Sequence, residues 1–187
     1  KCGSTYINNL KKHVKKRAAN FGISFDGDGD RILCCDEKGQ VIDGDKILAF
    51  LVKYSFFKKK QMPVVGTLMS NMGLEKFFSK LGLKFYRADV GDKYVYELMK
   101  KKGSIIGGEQ SGHIILRKYA PSGDGLFVAM KIIKIISQIN SKPSKIFNLY
   151  KPSYQIKKNI KLKDSEVYKN KKVIKLINLY NSKKYKD

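Results

Sequence analysis

Three carboxylates alternate with two glycines at Asp26-Gly27-Asp28-Gly29-Asp30, and Arg31 follows directly. Glycine lets the backbone fold tightly, so alternate carboxylates can converge on one point. Oxygens gathered this way suit a hard divalent cation, Mg²⁺ or Ca²⁺. Clustered like charges repel one another until a cation neutralises them. Arg31 would then be available to hold an anion such as a phosphate. The segment also invites comparison with an EF-hand, with Asp26, Asp28 and Asp30 at loop positions 1, 3 and 5 and Glu37 at position 12. Position 6, however, is Arg31, where that loop needs glycine for its sharp turn. The apolar run 32–35 also reads as a strand where the middle of the loop should lie, and a strand precedes the motif in place of a helix.

A second polar cluster is Gly107-Gly108-Glu109-Gln110-Ser111-Gly112-His113. Flanking glycines let the backbone approach a ligand closely, and a carboxylate, an amide and a hydroxyl are suited to sugar hydroxyls. His113 could move a proton near neutral pH. Taken alone, the stretch is equally a polar connection between two strands. In a third, Val90-Gly91-Asp92-Lys93-Tyr94-Val95, Asp92 reads as a helix cap. Lys93 would then sit at a helix N-terminus, where a cation opposes the dipole unless an anion lies nearby. A capped helix with a solvated lysine reads the same way. Gly3-Ser4-Thr5 and Ser122-Gly123-Asp124-Gly125 look like capping turns at helix starts.

The elements that must position these loops alternate between short apolar runs and longer amphipathic stretches. Helices are expected over 6–18, 43–54 with Asp43 near the N-cap, 72–81 closed by Gly82, 92–101 closed by Gly103, and 124–139. Strands are expected over 23–25, 32–35, 41–42, 64–68, 83–86 and 105–107, with a turn at 37–40 and a further apolar run over 114–116. Strands alternating with helices of this length indicate βαβ units, so the expected fold class is mixed α/β with a largely parallel sheet. The tail differs. Residues 142–187 hold fourteen lysines against three acidic residues, with one strand over 154–162 and one helix over 166–180. One strand and one helix cannot bury a core alone, so this segment reads as a domain that has only begun.

Composition limits the remaining choices. The 187 residues are 42% hydrophobic and 29% charged, a globular mix that excludes collagen, low complexity and wholesale disorder. Lys and Arg total 39 against 16 acidic residues, a formal charge of +23 that raises the question of a polyanion partner. Only four of those cations are Arg (Arg17, Arg31, Arg87 and Arg117), although phosphate and base readers lean on its planar fork. No nucleic-acid partner is therefore expected. The longest apolar run, 47–52, has six residues, too few to span a membrane. Three cysteines, Cys2, Cys34 and Cys35, form no disulfide framework or CxxC pair, and no signal-peptide core is present, so a cytoplasmic location is expected.

Taken in order, these loops resemble the α-D-phosphohexomutase superfamily over 1–163. Asp26 to Arg31 is similar to its metal-binding loop and Gly108 to His113 to its sugar-binding loop. Val90 to Val95, Asp43-Gly44-Asp45 and Gly123-Asp124-Gly125-Leu126 fit the surrounding pattern. The resemblance implies that Asp26, Asp28 and Asp30 bind Mg²⁺ together with an active-site phosphoserine that Arg31 contacts. It implies that Glu109 and Ser111 hydrogen-bond the phosphosugar, with His113 as general acid/base and Lys93 positioning substrate or phosphate. The Glu-Gln-Ser form, with Gln110, points to the branch interconverting glucosamine 6-phosphate and glucosamine 1-phosphate through a 1,6-bisphosphate. Mannose and glucose phosphates are the alternative substrates, and a polyanion-binding module is a distant one. Family enzymes have four domains. The expected division is the end of the second over 1–60, the third over 61–147 and the start of the fourth over 148–187. The serine loop (Thr-Ala-Ser-His-Asn-Pro) and the phosphate loop (Arg-x-Ser-Gly-Thr-Glu) do not occur in this sequence, so these residues alone are expected to be inactive.

Overall fold

The computed structural model describes residues 3–56, 62–157 and 165–181. The chain divides into two compact units, Lys1–Ser153 and Tyr154–Asp187.

The first unit opens with α1 (Ile7–Lys16), which lies on a three-stranded sheet formed by β1 (Phe21–Phe25), β2 (Ile32–Asp36) and β3 (Val41–Ile42). The sheet is antiparallel throughout, in the order β1-β2-β3. Its connections are too short for parallel crossovers, which need a dozen or more residues. The 37–40 turn is organised by buried Asp36, whose Oδ1 accepts from Lys38 N at 3.0 Å and Gln40 N at 2.8 Å. Asp43 then caps α2 (Gly44–Leu51), accepting from Lys46 N at 3.1 Å, and α2 ends in a π-helical turn, Val52–Phe56. Ile47, Leu48, Ala49, Phe50, Leu51 and Val52 are all buried, as expected of a helix enclosed on every side.

The second sheet carries the expected parallel βαβ pattern. Its elements are β4 (Val64–Thr67), α3 (Met72–Lys80), β5 (Phe85–Ala88), α4 (Asp92–Lys102), β6 (Ile106–Gly108) and β7 (Ile114–Leu116). The strand order is β5-β4-β6-β7, with β4 parallel to both neighbours and β7 antiparallel at the edge. Every residue of β4 is buried, the signature of a parallel strand covered on both faces. The expected strand at 83–86 begins two residues later. Leu83 N instead donates to Phe78 O at 2.9 Å, which closes the C-terminus of α3. Asp124 caps α5 (Gly125–Gln138), which packs on β1 and β2, and α6 (Pro143–Ile146) follows. One hydrophobic core joins Ile32 and Ile42 of the first sheet, helix α2, and Val64, Ile106 and Leu116 of the second. Leu149 and Tyr150 pack against that core.

In the second unit, residues 154–157 form no strand, and 158–162 lie outside the described residues. The helix expected over 166–180 is interrupted at Asn170, between a 3₁₀ turn (Ser165–Lys169) and α7 (Lys171–Asn181). The Asn170 side chain accepts from Lys172 N at 2.9 Å, so it starts a new helix and does not continue the old one. Among the described residues, no helix is long and apolar enough to cross a membrane.

Candidate functional site

The acidic loop is the connection between β1 and β2, and the Phe25↔Ile32 pair fixes its base. Asp26, Asp28 and Asp30 each offer an oxygen within 4.8 Å of the others. Arg31 N donates to Asp26 Oδ1 at 3.1 Å, and Arg31 Nε lies 3.6 Å from Asp26 Oδ2 and 3.8 Å from Asp30 Oδ1. Burial pushes the Asp30 carboxyl up, and the adjacent Asp26 side chain pushes it further. Burial is also the largest single influence on Asp26, but the Arg31 N–H, the Asp30 side chain, the residue's own N–H and the Arg31 charge together outweigh it and hold this carboxyl below its usual range. Asp30 Oδ1 is buried and accepts no hydrogen bond among the described residues. Three converging carboxylates, one of them with an orphaned buried oxygen, fit a hard cation such as Mg²⁺.

His113 joins this loop to the next. Its ring is 2% exposed, with Nδ1 3.0 Å from Asp30 Oδ2. Gly123 N donates to Nε2 at 3.1 Å, which assigns the ring proton to Nδ1, facing the carboxylate. Backbone contacts add to the join. Arg31 and His113 form an antiparallel bridge, and Ile32 N donates to Gly112 O at 3.1 Å. Gly112 has φ 98°, and a Cβ there would lie 2.2 Å from Ile32 O, so this close crossing requires glycine.

The 108–113 loop presents Glu109 and Ser111 together, with Ser111 Oγ donating to Glu109 Oε2 at 3.3 Å. Gly91 N donates to Glu109 Oε1 at 2.9 Å, which brings the segment around Lys93 to the same carboxylate. Gly91, at φ 131°, is the N-cap of α4. Asp92 is instead the first helical residue, and its Oδ1 accepts from Lys93 N at 2.8 Å. Lys93 is exposed on that first turn. Gln110 turns inward, with Nε2 3.4 Å from Asp45 Oδ2.

The sequence reading did not single out Asp45 as a structural centre. Its carboxylate is 1% exposed and accepts from Asn71 N at 2.7 Å, linking α2 to the start of α3. The available signal is its place two residues before the apolar 47–52 run, on the helix that this run continues. Gly44 N donates to Gln110 O at 3.1 Å and Gly125 N to Gly29 O at 2.9 Å, so the 43–45 and 123–125 turns support the two loops from behind.

Residues 43–153 match the family described as phosphoglucomutase/phosphomannomutase, alpha/beta/alpha domain III. The chain is 50% identical over 169 residues to the phosphoglucosamine mutase of Pelagibacter ubique (strain HTCC1062), an alignment covering 89% of this chain and 38% of that protein. It is 40% identical over 179 residues to the phosphoglucosamine mutase of Zymomonas mobilis, covering 94% of this chain and 40% of that one. The chain thus spans about two fifths of the length of these curated relatives. Among solved structures, a phosphoglucomutase/phosphomannomutase family protein from Burkholderia thailandensis aligns with a TM-score of 0.72 at 21% identity, over 79% of this chain and 33% of that one. The Aspergillus fumigatus N-acetylphosphoglucosamine mutase, solved in complex with GlcNAc-6P and magnesium, aligns with a TM-score of 0.60 at 19% identity, over 81% and 40%.

Proposed function

The chain belongs to the phosphoglucomutase/phosphomannomutase family, and on that premise we propose that it is part of a cytoplasmic phosphosugar mutase that interconverts glucosamine 6-phosphate and glucosamine 1-phosphate. The observation that carries the reading is the junction at His113, where the three-carboxylate loop meets the loop bearing Glu109 and Ser111. The 40–50% identical relatives named phosphoglucosamine mutase support the choice of sugar. Buried, unpaired Cys34 and Cys35 agree with a reducing compartment. By family order, 1–60 is the end of a second domain, 61–147 a third and 148–187 the start of a fourth.

Asp26, Asp28 and Asp30 hold Mg²⁺, which when bound neutralises charge on the transferring phosphoryl group. The terminal guanidinium nitrogens of Arg31 form no hydrogen bond among the described residues, and the side chain is 46% exposed. Arg31 is therefore placed to grip phosphoryl oxygens, those of the phosphoserine in this reading. Glu109 uses two of its roughly four lone-pair sites on Gly91 and Ser111, which leaves acceptors for sugar hydroxyls. Lys93 supplies an exposed cation for the substrate phosphate. Gln110, committed to Asp45, acts on the sugar through the shape of the loop. His113 has the arrangement of a general base oriented by a carboxylate, but Gly123 N–H occupies Nε2. Acid–base work there requires the turn around Gly123 to withdraw first.

Two measurements test the proposal. The isolated chain, assayed with Mg²⁺, glucosamine 6-phosphate and a 1,6-bisphosphate primer, is expected to show no turnover; robust turnover would overturn the view that it is one part of the enzyme. The complete reading frame is expected to turn over glucosamine 6-phosphate faster than mannose or glucose 6-phosphate. A preference for either of the latter assigns it to the phosphomannomutase/phosphoglucomutase side of the family.

A further inference from the structure

We infer that His113 is a positioning residue for the metal: its Nδ1–H holds Asp30 Oδ2 and so leaves Asp30 Oδ1 as the oxygen available to a divalent cation. The inference rests on the proposal that the three aspartates bind metal, and it adds a role to a residue outside the ligand set.

Three observations support it. The two ring nitrogens of His113 have opposite duties. Nε2 accepts from Gly123 N at 3.1 Å, so Nδ1 is the donor and Asp30 Oδ2, 3.0 Å away, is the acceptor. Reversing the tautomer would set two donors against each other at Gly123 and two acceptors against each other at Asp30. The ring also cannot swing away. It is 2% exposed, and a Cβ at Gly123 would stand 2.7 Å from both Cε1 and Nε2, so the turn fits closely against the imidazole. The Asp30 carboxylate is divided between two tasks as a result. Oδ2 is bound to the ring, while Oδ1 is buried and receives no hydrogen bond among the described residues.

A carboxylate free to rotate would lose side-chain entropy on binding a cation, and it could offer either oxygen. One fixed by a neutral donor keeps its charge and presents a single oxygen. Outer partners of ligating carboxylates act in this way, and their removal costs about 10–100-fold in metal affinity. His113 also belongs to the sugar-facing loop, so the same hydrogen bond couples the placement of that loop to the placement of a metal ligand.

The test measures Mn²⁺ affinity of the purified chain by electron paramagnetic resonance, for wild type, His113→Ala and His113→Asn. The asparagine side chain can place an N–H where Nδ1–H stands but has no acid–base function. The expected result is a Kd raised about 10–100-fold in His113→Ala, with most of the affinity restored in His113→Asn. Equal affinity in His113→Ala and wild type overturns the inference, and so does failure of His113→Asn to improve on His113→Ala. Absence of Mn²⁺ binding by the wild type overturns the metal reading itself, and the inference with it. Nitrogen-detected NMR of the wild-type ring requires no variant to fold. It is expected to show the Nδ1–H tautomer; an Nε2–H tautomer overturns the inference.

Discussion

A Cβ built on Gly44 would lie 1.9 Å from the carbonyl oxygen of Glu109. The first residue of α2 and the 108–113 loop are thus in direct backbone contact, reinforced by Gly44 N donating to Gln110 O at 3.1 Å. Neither partner is a flexible side-chain end, so a methyl group there must displace the main chain that carries Glu109.

Gly44→Ala is therefore expected to destabilise the chain by about 3 kcal/mol, toward the upper end for overpacking because the obstacle is main chain. Urea unfolding followed by circular dichroism measures it. A loss under about 1 kcal/mol would mean that the loop yields easily and does not depend on α2 for its position.

Glu37, in the turn between β2 and β3, accepts from both the backbone N–H of Ser144, at 3.1 Å, and its hydroxyl. It thereby satisfies a donor at the start of α6, 107 residues away in sequence. Partial burial raises this carboxyl, but the two Ser144 hydrogen bonds, with its own N–H and the Lys38 charge, outweigh burial and hold it below the usual glutamate range. A depressed carboxyl contributes stability above its unfolded pKa and loses it as pH falls through the folded one. Glu37→Gln is expected to cost about 1 kcal/mol at pH 7, discounted for solvent screening. The gap from wild type should narrow steadily below pH 4.5. A gap that stays constant down to pH 2 would show that shape, and not charge, makes this contact.

The acidic loop, the caps at Asp43 and Asp124 and the parallel pattern of β4 to β6 were legible because each rests on local spacing. The joins between them were not. Nothing near Gly123 in sequence indicates that its N–H fixes the tautomer of a histidine ten residues earlier. Gln110 reads as a sugar contact by composition, yet buried Asp45, 65 residues away, takes its amide. Helix α2 follows the first sheet in sequence, yet it packs against α3 and against β6 of the second sheet. The alternation of strands and helices suggests a largely parallel sheet, whereas the first sheet is antiparallel and built on two short connections. In each case, long-range packing overrode a correct local signal.

The charge of +23 has little structured means of reading nucleic acid. Arg87 is held by Glu75 Oε2 at 2.9 Å and by the carbonyls of Thr67 and Ser70, and Arg117 Nε donates to Ser104 O at 2.7 Å. Two of the four arginines therefore serve the fold. Binding to random duplex DNA is expected to follow counterion release, falling steeply with salt and vanishing by ~150 mM. A salt titration by fluorescence anisotropy checks this, and persistent submicromolar binding at that salt would call for a dedicated surface.

Asp28 is the exposed member of the three-carboxylate loop, and it separates metal binding from stability. Without a cation, its charge adds to the pressure that Asp26 and burial already place on Asp30. Asp28→Asn is therefore expected to leave the Tm of the EDTA-treated chain unchanged or higher. With Mg²⁺ at ten times its Kd, the wild type gains RT ln 11, about 1.4 kcal/mol, a rise of roughly 4 °C for a chain of this size. The variant, lacking one of three anionic ligands, should gain little at the same concentration. Differential scanning calorimetry with and without Mg²⁺ reads both effects. If Asp28→Asn lowers the Tm in EDTA and keeps the full Mg²⁺ response, then Asp28 is a structural residue of the hairpin and the cation is held by Asp26 and Asp30 without it.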